Sequence, residues 1–320
     1  MIERSAYAGP AAQSAELTRQ SAELTWRRII RLGVLGIASD ARDRRRDPAL
    51  RNRLSVRALD PRLRQPVFII GAPRSGTTFL GNSLGRLPGI SYHFEPRPTK
   101  AAARCVYDKS WSERRGGAVF RLSYGALLLA ALDGGSRFAE KNPENSFLVP
   151  FLADEFPGAQ FVHIVRDGRD ATVSHAEQPW LSAASATTGQ RGPGGQLHGP
   201  NARWWVESQR REEFPQVSDL VRSAWCWRRF TEAALAGVAS LPADQATEIR
   251  YEAMVSNPDE TADKLADFLR LPSAGRESLH VSLARAKTTS VGRWRAVLSD
   301  SELADVLAEI GPLLASLGYV

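Results

Sequence analysis

The sequence predicts an α/β domain, a parallel β-sheet flanked by helices on both faces, with a helical extension ahead of it. Three observations carry this expectation. The runs at 66–70 and 159–165 are short and largely apolar, with Val67, Phe68, Ile69 and Ile70 in the first and Phe161, Val162, Ile164 and Val165 in the second. That is the pattern of strands buried on both faces. Each run ends in a glycine-containing turn that opens into a helical pattern, and beyond them strand-like and helix-like stretches alternate along the chain, as in parallel sheets.

Residues 14–40 place apolar side chains at three- and four-residue spacing and read as a helix. Residues 41–65 read as a polar connection. The strand at 66–70 feeds Gly71-Ala72-Pro73-Arg74-Ser75-Gly76-Thr77-Thr78, after which Phe79, Leu80, Leu84 and Leu87 share a helix face. A helix at 116–133 and a short strand at 137–141 follow. The second buried strand, 159–165, runs into Arg166-Asp167-Gly168-Arg169-Asp170 and another helix start. Residues 182–201, rich in Gly, Ser, Thr and Pro, read as a mobile loop suited to covering a bound acceptor. Helices are expected at 218–237, 258–270 and 301–317, and a strand at 247–251. With no internal repeat, the chain divides into a basic helical N-terminal extension, 1–65, and one domain, 66–320.

The composition, 43% hydrophobic and 24% charged over 320 residues, is that of a globular protein. The longest apolar runs, 33–38 and 126–132, fall far short of the roughly 20 residues that span a bilayer. No secretory pattern opens the chain, so a cytoplasmic protein is expected, with Cys105 and Cys226 as reduced thiols. The net charge of +7 resides entirely in residues 1–65, which hold 14 Arg against 7 Asp and Glu. There Arg42, Arg44, Arg45 and Arg46 alternate with Asp40, Asp43 and Asp47, which suits a solvated face and not a nucleic-acid stripe. No nucleic-acid partner is expected. Trp26, Ile29, Ile30, Val34 and Ile37 beside Arg27, Arg28 and Arg31 allow two readings of the first helix. The favoured one packs it on the body with arginines outward; the other gives it peripheral contact with a membrane surface.

The strand–turn–helix at 66–84 is a P-loop-type anion site: glycines let the backbone approach closely, and N–H groups and the helix dipole point at phosphate oxygens. Its GxxxxG frame matches a nucleotide-triphosphate loop, but Thr77 stands where that motif places Lys, and the positive charge has moved to Arg74. A kinase or NTPase would lose its contact to the β/γ-phosphates. Further along, Arg166 and Ser174 are eight residues apart across a strand end and a helix start. That spacing suits a guanidinium fork and a hydroxyl on one phosphate; the lesser alternative pairs Arg166 with Asp167 or Asp170.

Four segments in order carry a resemblance. Pro73-Arg74-Ser75-Gly76-Thr77-Thr78 resembles the 5′-phosphosulfate loop of sulfotransferases that use 3′-phosphoadenosine 5′-phosphosulfate (PAPS), and Val165 to Asp170 with Ser174 resembles their 3′-phosphate segment. Arg250-Tyr251-Glu252 with Asn257-Pro258, and Gly292-Arg293-Trp294-Arg295, resemble two later segments. The arginine in the first loop is closest to the bacterial, carbohydrate- and tyrosylprotein-type branches. The match spans about Pro66 to Arg295.

The resemblance implies PAPS as co-substrate without a metal, and sulfuryl transfer to a hydroxyl of a small-molecule, glycan or lipid acceptor. It puts Arg74, Ser75, Gly76, Thr77 and Thr78 on the 5′ side, Arg166 and Ser174 on the 3′-phosphate with Arg293 adding charge, and Tyr251 beside the adenine. It implies that Lys141 reaches the sulfuryl group and that Glu95 is the base. His93 is the rival base, because an imidazole is better tuned near neutrality and neighbours two apart in an extended segment face one side. His163 reads as structural and His175 as a support beside Ser174. Trp204, Trp205, Trp225 and Trp227 could line an acceptor site but read as core. The alternatives are a P-loop kinase or NTPase, and a nucleotide-binding protein without catalysis. Acceptor identity and oligomeric state are open.

Overall fold

The structure is a computed structural model that describes residues 24–46, 63, 65–131, 136–192 and 195–319. The expected helix at 14–23 and most of the connection at 47–64 lie outside the described residues.

Five parallel strands form one sheet in the order β2-β3-β1-β4-β5. They are β1 (Val67–Ile70), β2 (Ile90–Phe94), β3 (Arg137–Lys141), β4 (Gln160–Val165) and β5 (Ala246–Arg250). β1 is central, with Val67 opposite Ala139 of β3 on one side and Gln160 of β4 on the other. The chain fills the β3 side first and then crosses to β4. That reversal about β1 opens a crevice at the carboxyl ends of the strands.

Alternate side chains leave opposite faces of the sheet. Phe68, Ile70, Phe138 and Phe161 pack into a core with α3 (Arg97–Tyr107), α4 (Glu113–Ala130), α5 (Val149–Glu155), α7 (Asp219–Ala239) and α12 (Asp300–Ser316). Val67, Ile69, Ala139, Val162 and Ile164 pack into another with α2 (Thr77–Leu84), α9 (Pro258–Leu269) and α10 (Ser273–Leu283). Burial on both faces explains why β1 reads as an unbroken apolar run.

The first helix, α1, runs from Trp26 to Arg46 and so continues past the expected end at 40. Alanine and arginine favour helix, and the interleaved aspartates do not stop it. Ile29 is buried and Ile37 packs against the core, while Ile30 and Val34 are 64% and 62% exposed beside exposed Arg27 and Arg31. The apolar stripe is therefore split between body and solvent. Among the described residues, no helix is long and apolar enough to cross a membrane. The four tryptophans at 204, 205, 225 and 227 are core. Cys105 and Cys226 are buried and free.

Candidate active site

The turn after β1 is built around two glycines at which any side chain would be both strained and crowded. Gly71 takes φ +138°, and a Cβ there would lie 2.3 Å from the Ile164 carbonyl oxygen of β4. Gly76, at φ +94°, caps α2, and a Cβ on it would strike the Tyr251 ring at 2.5 Å. No side chain caps α2, so its first N–H groups remain available to an anion at the positive end of the helix. Ser75 is buried with no hydrogen-bond partner for its hydroxyl. Between them, Arg74 sits at φ +69°, a conformation that costs a non-glycine residue about 1–3 kcal/mol.

Arg166 follows β4, and its carbonyl accepts from Trp227 Nε1 at 3.1 Å. Its guanidinium donates through Nη1 to the Arg74 carbonyl at 2.9 Å and through Nη2 to the Ser290 carbonyl. It also stacks on Tyr251, 4.5 Å from the ring centroid, while its buried Nε has no partner. Tyr251 is the first residue of α8 (Tyr251–Ser256), not the end of a strand as its sequence context suggests, and its hydroxyl meets Ser290 Oγ at 2.7 Å.

The aspartates beside Arg166 are occupied elsewhere. Asp167 takes Arg169 Nε and Nη2 at 2.9 and 2.7 Å, and Asp170 accepts from the backbone N–H groups of Gly292 and Trp294 at 2.7 and 3.0 Å. Ser174, on α6 (Gly168–Ala176), accepts from Arg74 Nε at 3.0 Å. Burial and the neighbouring Arg166 lower the Arg74 pKa, with Glu177 opposing them. Arg293 is half-exposed and paired with Glu177, so it reaches a phosphate here only by leaving that partner. His175 is buried and accepts from Trp180 Nε1 at 2.6 Å; burial, then Arg74 and Arg203, push its pKa down to about 3 and keep it neutral.

At the edge of the sheet, beyond β3, β2 ends at Phe94 and Glu95 takes φ +42°. Both candidate bases line one cavity, and beyond the kink their side chains find different partners. His93 is buried, stacked on Phe138 at 5.0 Å and held by Ser91 at 3.0 Å and Asp40 at 3.2 Å. Glu95 instead donates its N–H to the Lys141 carbonyl at 2.9 Å, and its carboxylate lies between the ammonium groups of Lys141 and Lys100. Burial pushes the Glu95 carboxyl up, but Lys100 and Lys141 together overcome it and hold the pKa at about 2. Lys141 is itself lowered by burial, and its ammonium sits 4.5 Å over the Phe94 ring.

Lys100, on α3, also reaches Glu144 at 3.4 Å. Sequence reasoning missed it; the short reach from Glu95 across the Pro96 helix start was the available signal. Among the described residues, no cluster of His, Cys, Asp or Glu could hold a metal ion.

A profile of the sulfotransferase family matches residues 66–275. The chain belongs to the sulfotransferase family. This sulfotransferase is 22% identical over 284 residues to protein-tyrosine sulfotransferase A of Caenorhabditis elegans, covering 79% of this chain and 67% of that protein. Among solved structures it is similar to sulfotransferase STF9 of Mycobacterium avium, at 12% identity and TM-score 0.48 over 90% of this chain and 84% of that one. The sulfotransferase domain of the curacin biosynthetic pathway matches at 14% identity and TM-score 0.46 over 78% of this chain and 98% of that one. The α/β class expected from the sequence is the observed architecture of this sulfotransferase, and the turns after β1 and β4 fall within the matched segment.

Proposed function

We propose that this sulfotransferase takes its sulfuryl group from PAPS and delivers it to an acceptor hydroxyl, with Glu95 as the base. The observation that carries this reading is the contact between the two cradles, Arg166 Nη1 to the Arg74 carbonyl at 2.9 Å. One nucleotide with phosphate at both ends can therefore bridge them. Each cradle also keeps a buried donor without a partner, the Ser75 hydroxyl and Arg166 Nε. A buried polar group left unpaired costs about 1–3 kcal/mol, so both favour an anionic ligand.

In this reading Ser75, Gly76, Thr77 and Thr78 hold the 5′ side, and Arg166 and Ser174 the 3′-phosphate. Tyr251, already stacked on Arg166, flanks the base, and Arg293 joins the phosphate on leaving Glu177. As the acceptor oxygen bonds to sulfur, the bond from sulfur to the 5′-phosphate oxygen breaks. The acceptor proton passes to Glu95, and adenosine 3′,5′-bisphosphate leaves with the electron pair. Lys141 and Arg74 stabilise the charge that develops; one well-aimed donor of this kind is worth about 3–4 kcal/mol.

A carboxylate at about 2 is a weak base. When Lys141 turns to the sulfuryl oxygens, Glu95 loses one of its two cations, and its basicity rises as one oxygen is freed. His93 is instead held by Asp40 and Ser91.

Ligand-dependent melting tests the donor reading. Adenosine 3′,5′-bisphosphate should raise Tm without Mg²⁺, and ATP should not; a preference for Mg·ATP would establish the kinase-like alternative instead.

A further inference from the structure

We propose that the cavity between α1 and the end of β2 is the acceptor site, and that α1 shapes it for a neutral, mainly apolar alcohol or phenol of two-ring size. The inference rests on the reading of Glu95 as base and adds what that reading lacks, the wall that selects the acceptor.

The cavity has a volume of about 300 Å³, about twice the ~150 Å³ that takes up a benzene ring in a dry protein interior. Ile37 of α1, Leu127 of α4, and Phe94, Pro96 and Pro98 around the end of β2 supply apolar lining. Glu95 lines the same cavity, so a guest hydroxyl there meets the proposed base. The other charged groups on its lining are Asp40 and Arg97, and Asp40 is engaged by His93. The charges around the cavity cancel, since Lys100 and Lys141 are paired with Glu95 and Glu144 and the lining adds one charge of each sign in Arg97 and Asp40, so an anionic guest finds no net positive charge to offset its desolvation. A neutral guest needs only one polar contact, at its hydroxyl.

The α1 wall is low because of two glycines. A Cβ at Gly36 would meet nothing within 4 Å, and one at Gly33 would meet only Pro98 Cγ at 3.9 Å. Glycine weakens a helix interior relative to alanine, and neither packing nor a turn demands it at these positions. What the pair does is keep the space beside Glu95 open.

The test uses the full chain saturated with adenosine 3′,5′-bisphosphate and titrated calorimetrically with 2-naphthol. Binding is expected, and 6-hydroxy-2-naphthoate should bind at least tenfold more weakly. Gly36→Leu, which fills the cavity from α1, and Ala126→Leu, which fills it from α4, should each weaken 2-naphthol at least tenfold. Gly36→Ala should keep affinity within about twofold. Affinity for the bisphosphate, measured in the same samples, should stay unchanged in every variant and reports that each is folded. If 2-naphthol fails to bind, or binds the two leucine variants as well as the parent, the acceptor assignment is wrong while the donor reading stands. If the bisphosphate itself does not bind, the donor reading fails first.

Discussion

The Glu95 carboxylate sits where burial and charge oppose each other, and charge wins because two ammonium groups approach it at once. Lys100 has a different task from Lys141. Burial alone would lower its pKa, but Glu144 and Glu95 override burial and raise it, so it stays charged and fixed. In the proposed mechanism Lys100 thus positions Glu95, the base, while Lys141 serves the sulfuryl group. Lys100→Met removes one cation, so the Glu95 pKa rises, and protonation then disables the base at a higher pH than in the parent. The acid limb of the kcat/KM profile should move upward, kcat should fall about tenfold or more, and bisphosphate affinity should hold. Lys100→Arg should restore most of kcat. An unmoved acid limb would show that Lys100 only fills space. Glu95 and Lys141 stand out in the sequence by resemblance to the family's acidic residue and lysine, Lys141 also by its place at the end of a strand-like run. Lys100 was missed, since its short reach to Glu95 across the Pro96 helix start gains meaning only with the kink at φ +42°.

Among the elements, the strands of the sheet's middle were read to within a residue, because burial on both faces leaves an apolar run with few alternatives. β2 was harder. Its five residues, Ile90 to Phe94, include Ser91 and His93, whose polar groups are paid for by partners distant in sequence such as Asp40. α3 and α10 were missed for a related reason: Pro98 near the start of one, and Gly275 with Arg276 in the other, dilute the apolar period. The turn after β1, by contrast, was legible because its glycines answer to geometry. Gly71→Ala tests this. The added methyl would overlap the Ile164 carbonyl at 2.3 Å and hold alanine at φ +138°, so β1 and β4 must separate at their tips. We expect a loss of at least about 2 kcal/mol in unfolding free energy and bisphosphate binding weakened more than tenfold. Denaturant unfolding and calorimetry check it; wild-type values in both would mean that the turn relaxes without moving β4.

Across the whole molecule, the sheet carries a carboxyl group whose ionisation works against the fold. Glu140 of β3 is fully buried beside Lys141, where Tyr124 and Asn145 donate to one of its oxygens and Thr99 lies 3.5 Å from the other. Thr99 also donates to the Pro96 carbonyl at 3.0 Å, so this network ties α4 and α3 to the segment that bears Glu95. Burial pushes the Glu140 pKa up to about 7, although its hydrogen bonds oppose the shift. In the unfolded chain the group titrates near 4.3. The folded state therefore binds the proton more tightly. Its stabilising effect is complete below the unfolded value and is lost as pH climbs from there through about 7, a loss on the order of 4 kcal/mol at most. Glu140→Gln keeps a neutral group of the same shape at every pH, so its melting temperature should match the parent near pH 4.5 and exceed it by several degrees at pH 8. A difference that stays constant between those two pH values would show that Glu140 ionises no differently in the folded chain, and that the cost of burying it is met by Tyr124 and Asn145 alone.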